Sequence, residues 1–117
     1  MAENIEKCSG VSTINYSSRG GKAKMEIYYK DGKLIKAVIE DVWDRTKYRF
    51  YPNAKRLESE FDLVTDPHHV TDTIESEKKV VLEFLSDAAD AVKDNNKPEF
   101  VKQTIEDIKK QITDLKL

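Results

Sequence analysis

The sequence predicts an α+β fold, in which an antiparallel β-meander of four or five strands is followed by a C-terminal two-helix hairpin packed on one sheet face. Three observations support this prediction. The period of the apolar pattern changes from two to about 3.5 near residue 70. Turn-forming residues separate the alternating stretches, and only a short link separates the two helical ones. The 117 residues suit a single domain spanning 1–117.

The clearest strand covers residues 22–30, where every second side chain is apolar, and Asp31-Gly32 then marks a hairpin. A three-residue loop with Gly32 as a bulge would pair Met25 with Ala37 and Ile27 with Ile35. That register makes one face wholly apolar, whereas a two-residue loop would mix charge and hydrocarbon on both faces. The three-residue loop is therefore predicted. It also sets Glu26 opposite Lys36 and Lys22 opposite Glu40.

A second hairpin follows, with strands beginning at residues 46 and 56. A four-residue loop pairs Phe50 with Leu57 on the apolar face. On the opposite face it pairs Arg49 with Glu58 and Lys47 with Glu60, so both bases meet an acid. A further strand over residues 11–16 precedes the Arg19-Gly20-Gly21 turn, and the sheet is predicted to extend over about 11–64.

Asp66-Pro67 interrupts the alternation, so residues 65–72 are predicted to form a linker. Helices are expected over about 73–94 and 98–117, because apolar residues then recur every three or four positions. The expected seam of the first helix is Ile74, Val81, Leu85, Ala88 and Val92. That of the second is Val101, Ile105, Ile108, Ile112 and Leu115.

Composition and motifs exclude several classes of function. No apolar run approaches the ~20 residues of a membrane helix, and the N-terminal residues lack a signal-peptide pattern. Cys8 is the only cysteine, which excludes an internal disulfide and a multi-thiolate metal site. These features predict a soluble cytoplasmic protein that contacts no membrane and holds no metal or cofactor.

The only histidine cluster is His68-His69, which lies close to Asp66 and Asp72. Adjacent histidines on an extended segment point in different directions, whereas zinc sites need three or four ligands that converge. The cluster is interpreted as part of the linker. No nucleophile–base arrangement is recognisable, so a non-catalytic protein is predicted, with an enzyme left as the weaker interpretation.

The near-neutral net charge of −2 hides a split along the chain. Residues 18–57 carry 11 basic and 5 acidic side chains, a net of +6, while residues 58–117 carry 8 basic and 15 acidic, a net of −7. Cations at hairpin tips together with outward tyrosines would suit single-stranded nucleic acid, the alternative function. The candidate anion-binding residues are Arg19, Lys24, Lys33, Arg45, Lys55 and Arg56.

The leading hypothesis is a small non-catalytic binding protein, of adaptor or inhibitor type, that contacts another protein through the outward sheet face. An apolar stripe rimmed by charge is typical of an interaction surface. The candidate partner-binding residues are Tyr28, Leu34, Val38, Val42 and Tyr51. A homodimer formed through the same face or through the helices is left open.

Overall fold

A computed structural model of the chain describes residues 10–42, 45–61, 69–73, 75–93 and 99–116. The strands are β1 (Gly10–Ser18), β2 (Gly21–Lys30), β3 (Lys33–Asp41), β4 (Thr46–Tyr51), β5 (Arg56–Phe61) and β6 (His69–Asp72), and the helices are α1 (Glu75–Lys93) and α2 (Glu99–Asp114). The strands form one antiparallel sheet in the order β1-β2-β3-β4-β5-β6. The predicted α+β class, with a meander and a helical hairpin, is confirmed.

The sheet contains one strand more than the four or five expected. β6 occupies part of the stretch predicted to be a linker, and it pairs antiparallel with β5. Its Thr71 lies opposite Ser59. The chain returns to the sheet after the Asp66-Pro67 interruption, because the edge of β5 offers backbone groups with which a further strand can pair.

The β2–β3 hairpin differs from the predicted register. Its turn has two residues, Asp31 and Gly32, with φ of 52° and 78°. Positive φ at both positions is the signature of a type I′ turn, which Asp-Gly favours. The register then shifts at Tyr28/Tyr29, so that Tyr29 pairs with Leu34 while Tyr28 pairs with Lys36.

Ile35 is the extra residue of this bulge. It is 43% exposed, so the predicted inward pairs of Ile27 with Ile35 and of Met25 with Ala37 are wrong. Ile27 instead pairs with Ala37, and Met25 pairs with Ile39. The expected ion pairs across this hairpin are wrong as well, since Glu26 lies opposite Val38. The bulge at Ile35 restores an apolar inner face after a two-residue turn, and it does so without a three-residue loop.

The β4–β5 hairpin has the predicted register. Phe50 pairs with Leu57, and on the opposite face Arg49 pairs with Glu58 and Lys47 with Glu60. Here no bulge intervenes among the described pairs, so alternation and the loop length were sufficient to predict the pairing.

The core lies between one sheet face, here called the inner face, and the two helices. It contains the predicted inward residues of β2 together with the predicted seam residues of both helices that lie in the described part of the chain. Its largest fully buried side chains are Phe50, Phe84, Ile14, Met25, Ile27, Ile39, Leu57, Leu85, Ile105, Ile108, Ile112 and Val81. The sheet face that points away from the helices is called the outer face.

Polar contacts hold α1 to β1 and to the end of α2. The hydroxyl of Tyr16 donates to the carbonyl of Phe84 at 2.9 Å, and Ser18 donates to Asp87 at 2.6 Å, which ties β1 to α1. Lys78 of α1 donates to the carbonyl of Leu115 at 2.6 Å, just beyond α2. This bond satisfies a carbonyl that a helix end would otherwise leave without an intrahelical partner.

Several expectations fall on parts of the chain outside the described residues. They concern Cys8, the helix seam position Ile74, the linker residues Asp66 and His68, and the link between the helices. His69 lies in β6, where only the backbone is described.

Candidate functional site

The middle of the outer face is a network of paired charges. Arg49 on β4 bonds Glu60 at 2.5 Å and lies 3.6 Å from Glu58, both on β5. The side chains of these three residues are at most 22% exposed. The hydrogen bond to Glu60 is the main cause that raises the pKa of Arg49, and the charges of both carboxylates add to it. The network therefore holds its charges in place and satisfies them internally.

Two tyrosines border this network. The ammonium of Lys36 lies 4.4 Å from the centre of the Tyr28 ring, a cation–π contact. Tyr51 donates to Glu58 at 3.3 Å, and partial burial followed by the Glu58 charge raises the pKa of its hydroxyl. Both tyrosines are half-buried. Their rings belong to the packing of the outer face rather than standing free above it.

The structure does not bring the five predicted partner-binding residues together as a stripe. The outward position predicted for Leu34 is wrong, because Leu34 pairs with Tyr29 and packs against the core. Val38 does lie on the outer face, but it is only 7% exposed. Val42 is 45% exposed and lies at the end of β3 away from Tyr28.

A different apolar group forms at one corner of the outer face. Val11 pairs with Tyr28, Tyr28 pairs with Lys36, and the bulged Ile35 precedes Lys36. Val11 is 50% and Ile35 is 43% exposed. These four residues, Val11, Tyr28, Ile35 and Lys36, are called the corner patch.

Sequence reasoning missed both exposed members of the corner patch. Ile35 was assigned to the inner face because the bulge was not foreseen. Val11 was seen only as the start of a weakly patterned strand. The signal that could have found Ile35 was the Asp31-Gly32 pair, since it favours a two-residue type I′ turn, after which the apolar inner face is restored by a bulge in the following strand.

The six predicted anion-binding residues are also not gathered in one place. Arg19 forms an ion pair with Glu83 of α1, and Arg56 lies 3.4 Å from Glu58. Lys24 lies 3.9 Å from Glu26. The other three, Lys33, Arg45 and Lys55, lie at the ends of three different strand connections, all exposed.

The described residues of the two helices offer no comparable apolar surface. Among the described residues, the large apolar side chains that are exposed are Val11, Ile35 and Val42, all from the sheet and its connections. A depression of about 430 Å³ beside α1 is bordered by five polar or charged residues and Leu82, and two of them, Arg19 and Glu83, pair with each other. It has the character of a solvated surface.

Chemical groups for catalysis or metal binding do not converge in the described part of the chain. No three His, Cys, Asp or Glu residues there lie close enough to hold a metal ion. No described helix is long and apolar enough to cross a membrane.

Comparison of the chain with protein-family models, with curated proteins and with solved structures found no match.

Proposed function

We propose that this chain is a small non-catalytic binding protein, of adaptor or inhibitor type, that holds another protein against the corner patch. The observation that carries the proposal is the contiguity of Val11, Tyr28 and Lys36 in register, with the bulged Ile35 beside them. Two of the three exposed large apolar side chains of the described chain thus lie on β1 and β3, on either side of Tyr28 on β2. Exposed apolar side chains that cluster are typical of an interaction surface.

The charges around the corner patch indicate the chemistry of the partner. Lys30 and Lys33 pair across the adjacent hairpin turn, and both are exposed. With Lys36 they set three cations beside two acidic residues, Asp31 and Glu26, the latter accepting a 3.5 Å hydrogen bond from the Tyr28 hydroxyl. A protein surface with an apolar centre and an acidic rim would complement this arrangement.

The contacts of the outer face favour a protein over single-stranded nucleic acid. Base stacking needs an accessible ring face, and Lys36 already lies over the ring of Tyr28. Backbone binding needs cations that are not neutralised, whereas Arg49 and Arg56 contact carboxylates. Nucleic-acid binding is therefore the alternative function that the following test distinguishes from protein binding.

The test is quantitative affinity capture from a lysate of the cells that make the protein. The immobilised wild type is compared with the double variant Val11→Ser/Ile35→Ser and with a control, Lys79→Ser/Thr113→Ser, altered on exposed positions of the helices. We expect a specific protein to be retained by the wild type and the control and to fall at least about tenfold on the double variant, about 1.4 kcal/mol.

The same samples separate the alternatives. Equal retention of every captured protein by wild type and double variant would overturn the corner patch as the binding site. Binding of a fluorescent single-stranded oligonucleotide at 50 mM salt, weakening steeply as salt rises, would support the nucleic-acid function instead.

A further inference from the structure

The β1 edge of the sheet differs from the rest of this charged molecule. All nine residues of β1, Gly10–Ser18, are uncharged, although 36% of the chain is charged. Each of the other five strands contains at least two ionisable residues. The absence of charge is therefore a property of β1 and not of the sheet as a whole.

Among the described residues, β1 also lacks three further features that protect sheet edges, which are shortness, a bulge and proline. Natural edge strands are commonly short, bulged, or interrupted by lysine or proline, because their free backbone groups otherwise pair with another chain. β1 pairs with β2 through nine consecutive positions without a register shift, and it contains no proline. The opposite edge, β6, has only four residues.

The strand is held rigidly enough to act as a template. Two side chains of its second half, Tyr16 and Ser18, hydrogen-bond to α1 at 2.9 and 2.6 Å. Ile14 is 1% exposed and belongs to the core. An incoming strand would thus meet a backbone that is already ordered, which reduces the entropic cost of association.

From these observations we propose that β1 pairs antiparallel with β1 of a second copy of this chain, about a twofold axis at Ile14. The sheets of the two copies then join into one continuous sheet. In this register Ile14 faces its own counterpart, Thr13 faces Asn15, and Val11 faces Ser17. The proposal goes beyond the proposed function, and it rests on the β1 backbone rather than on the corner patch, with which it shares Val11.

The absence of charge in β1 is the reason for choosing a second copy as the occupant. A twofold axis brings the same strand to both sides of the interface, so a charge near its centre would approach a like charge on the other copy. Like charges directly opposite in a sheet are destabilising. Self-pairing therefore requires a strand without charges, such as β1. A different, charged partner strand would be better matched by complementary charges on β1.

The test places charges where the two strands would face each other. In Thr13→Lys/Asn15→Lys, each lysine of one copy lies opposite a lysine of the other, and in Thr13→Glu/Asn15→Glu the glutamates do the same. Within a monomer the two variants are balanced, because Thr13 pairs with Glu26 and Asn15 with Lys24 on β2. Each variant therefore gains one favourable and one unfavourable neighbour.

The measurement is sedimentation equilibrium of the full chain from micromolar to near-millimolar concentration. We expect a dimeric wild type, a dissociation constant raised at least about tenfold in either variant, and recovery of the dimer when the two variants are mixed. A control with Gln103→Lys/Thr113→Lys, on exposed positions of α2, should dimerise like the wild type.

Three outcomes would overturn the proposal: a wild type that stays monomeric throughout, a dimer that neither variant weakens, or variants that do not recover on mixing. Hydrogen exchange of the wild type provides a check that depends on no substitution. Protection of β1 backbone amides must increase with protein concentration, and protection that is unchanged while a dimer forms would place the interface elsewhere. Monomeric wild type that still captures a partner through the corner patch would leave the proposed function intact.

Discussion

The two faces of the sheet are made from alternating residues of the same strands, yet they are stabilised differently. The inner face is an apolar layer sealed by both helices, in which Met25, Ile27 and Phe50 are at most 1% exposed. The outer face is a layer of paired charges and half-buried tyrosines around the almost fully buried Val38. Burial on this sheet therefore does not require a covering helix, because long polar side chains can also exclude water.

This difference separates the residues that maintain the fold from those available for binding. Apolar side chains of the inner face have no access to a partner, whereas Val11 and Ile35 of the corner patch contribute little to the core. Substitutions on the two faces should therefore affect different measurements.

The largest effect is expected on the inner side. Phe84 of α1 is 1% exposed, and its ring lies 6.2 Å from that of Tyr48. Replacing it with alanine removes buried apolar surface and leaves a cavity, so we expect Phe84→Ala to lower the free energy of unfolding by about 3–5 kcal/mol. Urea denaturation followed by circular dichroism measures this change. Lys79→Ala on the exposed side of the same helix serves as the control, and equal losses would contradict the account.

A smaller effect is expected for the buried valine of the outer face. Val38→Ser should lower the free energy of unfolding by about 2 kcal/mol. The substitution places an unpaired hydroxyl at a position that is only 7% exposed, and it removes apolar contacts. Ile35→Ser, three positions earlier and exposed, should cost less than about 0.5 kcal/mol. Denaturation midpoints of the two variants test the contrast. If Val38→Ser lost as little unfolding free energy as Ile35→Ser, polar side chains would not seal the outer face.

The contact between β1 and α1 predicts a loss of stability in alkaline solution. Burial, with a further contribution from the charge of Asp87, raises the pKa of Tyr16 above its ordinary value. The unfolded chain therefore releases this proton first, near its ordinary pKa of about 10, so the contribution is complete below that pH and is lost as pH rises above it.

Tyr16→Phe isolates this effect. The substitution removes the bond to the Phe84 carbonyl, with an expected cost of about 1 kcal/mol at neutral pH. It should also reduce the decline in stability between pH 9 and 11, measured by denaturant titration at each pH. A slope identical to that of the wild type would assign the alkaline loss to other groups.

The smallest effect on stability is expected at the corner patch. Val11→Ser/Ile35→Ser should lower the free energy of unfolding by no more than about 1 kcal/mol, since exposed substitutions generally change stability by less than about 0.5 kcal/mol each. The melting temperature of this variant, recorded beside its capture of a partner, separates a binding defect from a folding defect. A marked drop in melting temperature would assign the patch to the fold instead.

The sequence by itself determined the α+β class, the strands of the β4–β5 hairpin with their register, and the described seam residues of both helices. These features depend on the period of the apolar pattern and on residues that are close together in the sequence. The sequence therefore records them directly. Leu57 and Phe50 could be paired in advance because no bulge separates them from their turn.

Tertiary structure decided the β2–β3 register, the addition of β6, the burial of Val38 and the placement of Ile35 and Leu34. A two-residue turn with a bulge and a three-residue loop both leave an apolar inner face, so alternation alone does not distinguish them. Whether a side chain such as Val38 is covered depends on long side chains from several strands. That choice is made by packing in three dimensions, because the residues involved are distant along the chain and meet only when the sheet has formed.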